Sequence, residues 1–158
     1  MLKRTDPFIV HRTQTLPDNC VSACLAMVLN MDIDEVTKTF HTKYEMGDME
    51  IWQFLDDANI SYQRCLADER SLLDDKVYLL GVPSLNLVAH SHMIVAHTIP
   101  GGRWYLLDPA IGVSGRLAYG CFDPDEKPPK DIVQIRSYDP MYMISADVVR
   151  SRYKTFAC

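Results

Sequence analysis

The chain has no apolar run long enough to cross a bilayer, no internal repeat, no low-complexity tract and only 7 glycines in 158 residues. These absences exclude a transmembrane helix, a solenoid and a collagen-like or disordered chain. Basic charge is also in deficit. With 16 Lys and Arg against 21 Asp and Glu the net charge is -5, so nothing general attracts a phosphate backbone or an anionic lipid surface. Neither nucleic acid nor membrane is expected as a partner. Five cysteines are present, Cys20, Cys24, Cys65, Cys121 and Cys158, but none forms the C-x-x-C spacing of a metal or redox site. The start, Met1 to Val10, lacks the apolar core of a secretion signal. Free thiols in a reducing compartment, and hence a cytoplasmic location, are the expectation.

What remains is an ordinary globular composition, 47% hydrophobic and 23% charged, in a length suited to one domain spanning 1–158. Phe8 to Val10 reads as a short strand or extended arm leading to Leu16, Pro17, Asp18 and Asn19, a turn in which Asp18 or Asn19 can cap a helix. The run that follows has apolar residues at 21, 24, 25 and 28, with Ala23, Ala26, Met27 and Leu29 on the other faces. A helix apolar nearly all round is a buried one, so this is the expected central helix. Two amphipathic helices follow, around Ile33, Val36 and Phe40 with Asp32 or Asp34 near the start, and around Ile51, Phe54, Leu55 and Ala58 behind Gly47 and Asp48.

The period then changes. Strands are expected over 60–66, 77–82, 92–96, 104–107 and 132–135, with a terminal helix over 145–153 capped by Ser145. Thr98 to Gly102 reads as the turn of a hairpin. Helices first and strands after make an α+β pattern.

One cysteine sits where chemistry is favoured. Cys20 opens the central helix, where the helix dipole and unpaired amides stabilise a thiolate. The other four have no helix-start context and read as small buried hydrophobes. A thiolate nucleophile needs an imidazole, and the imidazole an acceptor that orients it. Centring the hairpin turn on Pro100 puts His92 opposite Asp108, close enough for the carboxylate to take the Nδ1 proton and leave Nε2 for the sulfur. On a regular strand His97 points to the opposite face, and His90 falls in the preceding loop. His90 and His92 alone do not make a zinc site, so no metal or other cofactor is expected. Gln14, six residues before Cys20, can donate with the Cys20 backbone N–H to the oxygen of a tetrahedral intermediate. Trp52 and Trp104 read as core or cleft wall, Met141 and Met143 as packing, and Arg150, Arg152 and Lys154 as a solvated helix face.

Together the segment QTLPDNCVSACLAMVLN, the HMIV strand and DPAIG, with its Asp 16 residues after the His, resemble the C39-like branch of the papain-like cysteine peptidases. The resemblance covers roughly 14–115. It implies a papain-like α+β fold, a buried N-terminal helix packed on a small, mainly antiparallel sheet, with Cys20 as nucleophile, His92 as general base and acid, Asp108 as orienter and Gln14 as oxyanion donor. The implied reaction cleaves a peptide or isopeptide bond in a peptide or protein substrate through a thioester. The same triad could pass the acyl group to an amine, and the same fold could bind a peptide without cutting it. The family commonly has Gly after the Cys, where this chain has Val21.

Overall fold

A computed structural model describes residues 5–153, so the expectations for Cys158 and Lys154 lie outside the described residues. The architecture is mixed helix and antiparallel sheet, as the sequence pattern implied. Helix α1 (Cys20–Leu29) is followed by α2 (Ile33–Val36), a π-helical stretch (Thr37–His41), α3 (Thr42–Glu45) and α4 (Ile51–Asp57). The strands are β1 (Gln63–Arg64), β2 (Lys76–Pro83), β3 (Ser91–Ile99), β4 (Arg103–Leu107), β5 (Ala118–Gly120), β6 (Ile132–Gln134) and β7 (Asp139–Ser145), and α5 (Ala146–Ser151) is the last element among the described residues.

Strand order in the main sheet is β1-β7-β2-β3-β4, every pair antiparallel. On one face α1 buries Cys24, Leu25, Met27 and Val28 against Val77, Leu79, Met93 and Val95, with Phe54 and Leu55 of α4 and Val149 of α5 completing the cluster. The other face, carrying Tyr78, Leu80, Val82, Ile94 and Ala96, is covered by Tyr119 and Ile135 beside a two-stranded parallel ribbon of β5 and β6. Alternation along β2 and β3 therefore divides the apolar residues between two cores, which is why both strands read as continuous apolar runs.

Several local expectations needed correction. Of the two readings of Phe8 to Val10, a strand or an arm, the strand is not found, since the segment joins no sheet. Asn19 stands at the start of α1, yet its side chain turns backward: Oδ1 accepts from the Thr15 and Leu16 N–H groups at 3.1 and 2.9 Å, and Nδ2 donates to the Thr15 and Thr37 hydroxyls. No side chain caps α1, so its first-turn amides stay available to an anion. Asp32 does cap α2, accepting from the Asp34 and Glu35 N–H groups. The strand expected over 60–66 shrinks to two residues, and β7, which fills the place between β1 and β2, was not foreseen. The terminal helix is shorter than expected, and Ser145 makes no side-chain cap.

Candidate active site

The arm before α1 fixes the site. His11 Nε2 donates to the Asp108 backbone carbonyl at 2.7 Å, Gln14 N–H donates to the Pro109 carbonyl at 2.9 Å, and the Thr13 hydroxyl donates to the Ile111 carbonyl at 2.8 Å. Three contacts thus tie the segment leading to Cys20 onto the segment that carries Asp108. Gly112 makes the close approach possible, since its φ is +92° and a Cβ there would sit 3.0 Å from the Thr13 hydroxyl.

Asp108 is fully buried. Oδ1 accepts from Ala110 N–H at 2.8 Å and from the His92 ring at 2.6 Å, while Oδ2 accepts from Tyr119 N–H at 2.8 Å. The bond to Ala110 is an Asx turn, in which the carboxylate holds the backbone two residues on; this is the local reason for Asp-Pro-Ala. Tyr119 supports the site from β5, and its hydroxyl donates to the Pro83 carbonyl at 2.5 Å. Neither Tyr119 nor His11 carried any sequence signal, because both act through contacts with residues remote in the chain.

His92 and Asp108 meet, but by another register than the one expected. Val95 pairs with Leu107 and Ile99 with Arg103, so the hairpin is centred on Gly101. A shift of one residue in the turn's centre moves each partner by two, which preserves the face on which a side chain emerges. Asp108 lies just past the end of β4 and reaches the ring from there. The ring orientation is the reverse of the expected one. Nε2 donates to Asp108, and because a carboxylate only accepts, that nitrogen carries a proton and Nδ1 is left for the sulfur.

Cys20 is half-buried at the first position of α1 and hydrogen-bonds with His92. Burial works against a charged imidazole, but the hydrogen bonds to Asp108 and Cys20, and the charges of both, outweigh it and push the His92 pKa up to about 9. Cys24 is held well above the ordinary thiol range, first by burial and then by Cys20 and Asp108, and its Sγ donates to the Met93 carbonyl at 3.3 Å. It remains a packed thiol. His97 points to the other side of β3 from His92, on the face that α1 covers, and is buried against Phe8 and Tyr105, with its pKa lowered by burial and by Arg150; His90 is exposed in the loop.

Gln14 is engaged on the turn that leads into Cys20. It is buried, and its Nε2 donates to the Leu16 carbonyl at 2.8 Å and the Pro17 carbonyl at 3.2 Å. The side chain thereby braces the turn before Cys20, and its Oε1 is buried without a hydrogen-bond partner. Gln14→Ala should therefore lower the melting temperature by several degrees, about 1–2 kcal/mol for two lost bonds. Thermal unfolding checks it: an unchanged melting temperature would contradict the bracing role.

The raised His92 pKa also predicts how stability depends on pH. In the unfolded chain a His titrates near about 6.5. The folded state binds the proton more tightly, so the stabilisation is complete below about pH 6.5, declines as pH rises and is lost on passing about 9. Urea unfolding at pH 6 and pH 9.5 should show this loss, and His92→Gln should reduce the difference. Equal losses in both proteins would contradict it.

The site opens into a cleft of about 780 Å³ lined by Cys20, Val21, His92, Val82, Leu87 and Tyr138 among others. Val21, half-buried beside the sulfur, narrows the wall where a Gly would not. At the rim, Asp18, His41 and Glu45 bring one ligand atom each within 4.8 Å of one another. His41 Nε2 lies 3.4 Å from Asp18 Oδ1, and both carboxylates are exposed. No helix among the described residues is long and apolar enough to cross a membrane. Compared with known family models, curated proteins and solved structures, the chain gives no match.

Proposed function

We propose that the protein is a thiol-dependent hydrolase of the papain-like, C39-like kind, cleaving a peptide or isopeptide bond through a thioester at Cys20. The observation that carries this reading is the connected line Cys20, His92, Asp108, with the carboxylate buried, held by two backbone amides and bonded to the imidazole at 2.6 Å. A carboxylate fixed on three sides serves to orient a ring, and an imidazole beside a helix-start thiol serves to generate a thiolate.

In this reading the Cys20 thiolate attacks the substrate carbonyl carbon while His92 carries the proton. Negative charge then develops on the carbonyl oxygen near the uncapped start of α1, where the Cys20 N–H has no acceptor within the helix. His92 Nδ1–H passes its proton to the leaving amine as the C–N bond breaks, leaving a thioester on Sγ. Water attacks that thioester, losing its proton to His92. The acid departs and the thiol is regenerated. Throughout, Asp108 holds Nε2–H, which keeps Nδ1 as the working nitrogen. The test is mass-spectrometric detection of cleaved peptide bonds in a protein-derived peptide pool, with Cys20→Ala as control. Thiol-dependent cleavage absent from the control is the expected result; an identical pool after both treatments would remove the reading.

A further inference from the structure

Beside the cleft lies a second groove, of about 720 Å³, lined by Glu50, Trp52, Arg64, Leu66, Arg70 and Tyr142 among others. We propose that this groove is an extended subsite that binds an acidic side chain of the substrate about four residues away from the bond broken at Cys20. The proposal rests on the hydrolase reading for its role and on the sheet for its geometry.

The two depressions share Asp139 and Met141 in their walls and so adjoin at the end of the sheet. His92 pairs with Val82 on β2, Gly81 next to it pairs with Asp139 on β7, and Cys65, just past β1, donates its N–H to the Met141 carbonyl. From the catalytic strand to the far wall is thus three strand spacings, about 14 Å. An extended peptide advances roughly 3.3 Å per residue, so about four residues span the two depressions.

The charge of the far end comes from the commitments of its side chains. Arg70 and Asp139 pair with each other at 3.3 Å, and Glu50 is engaged with Gln53 in the capping box of α4. Arg64 is different. Its guanidinium lies 4.9 Å from the centre of the Trp52 ring, it is exposed, and among the described residues no carboxylate is ion-paired with it. The ring and a hydrogen bond to the Tyr142 side chain hold the guanidinium in place without neutralising it, and its remaining planar donors suit a carboxylate. Exposed Leu66 and Met141 supply apolar contact for the intervening peptide. An extended peptide with an Asp or Glu at this distance satisfies both features, its carboxylate meeting the Arg64 guanidinium.

The experiment uses a synthetic pool of random linear peptides. The full chain carrying Cys20→Ala, which cannot form the thioester, should capture peptides enriched in Asp or Glu at one position. The same protein with Arg64→Glu added should lose that enrichment by about tenfold. Arg64 is exposed, so both proteins should unfold at the same temperature, and a melting scan verifies it. Active protein should then cleave the captured peptides about four residues from the acidic position. Equal capture by both Cys20→Ala proteins, or cleavage with no acidic preference, overturns the subsite and leaves the hydrolase reading intact. Acid-dependent capture with no cleavage overturns the hydrolase reading and keeps the groove as a binding site. Neither capture nor cleavage overturns both.

Discussion

Replacing His92 with Ala is expected to lower turnover by about 10⁵-fold while leaving a cooperatively folded protein. In a unit of nucleophile and base, removing either member costs nearly as much as removing both, because a thiol without its base is a poor nucleophile and the leaving amine has no acid. The fold should survive. Asp108 retains its bonds from Ala110 and Tyr119, so the buried carboxylate is not stripped of donors. Single-turnover kinetics with circular dichroism of the same sample checks both halves. A variant within tenfold of the parent would mean that another group moves the proton, and the buried His97, five residues further along β3 and about 16 Å away at roughly 3.3 Å per residue, could not do so.

Asp108→Ala should be the more damaging change to the fold. It leaves the Ala110 and Tyr119 amides buried without an acceptor and takes from His92 the partner that holds its charge. A loss of about 3–5 kcal/mol is expected, and with it a fall of about 10 °C or more in melting temperature for a chain of this size. Asp108→Asn separates the two roles. The amide keeps an acceptor oxygen for the backbone but cannot stabilise the imidazolium, so stability should recover in part while turnover stays about 10²–10⁴-fold down. If Asp108→Ala melts with the parent, the carboxylate is not the anchor described above.

The central helix was legible because Cys20 to Leu29 is apolar on every face, a pattern that only burial satisfies. The meeting of His92 with Asp108 was legible too, even with the turn misplaced, since the error moved partners by two residues and kept their faces. The choice of ring nitrogen was not. It depends on Asp108 reaching the ring from beyond the strand's end, which no pairing rule specifies. Strand β7 escaped because Asp139-Pro140 reads as a turn and Met141 and Met143 have weak strand preference; its place is set by pairing with β2 on one side and β1 on the other. The short parallel pairing of β5 with β6 left no periodic trace. Gln14 was noticed for its spacing from Cys20, but the spacing is equally consistent with bracing the Leu16 and Pro17 carbonyls.

The central claim is that Cys20 is an activated thiol, and brief labelling with a small thiol-directed electrophile at neutral pH, followed by peptide mapping, tests it most directly. Cys121 is the more exposed thiol, whereas Cys24 and Cys65 have raised pKa values, each chiefly through burial. Exposure alone would therefore favour Cys121. The account predicts that Cys20 reacts first, faster than Cys121, and that His92→Ala slows Cys20 without affecting Cys121. Modification of Cys121 first, with Cys20 left unmodified, would contradict it.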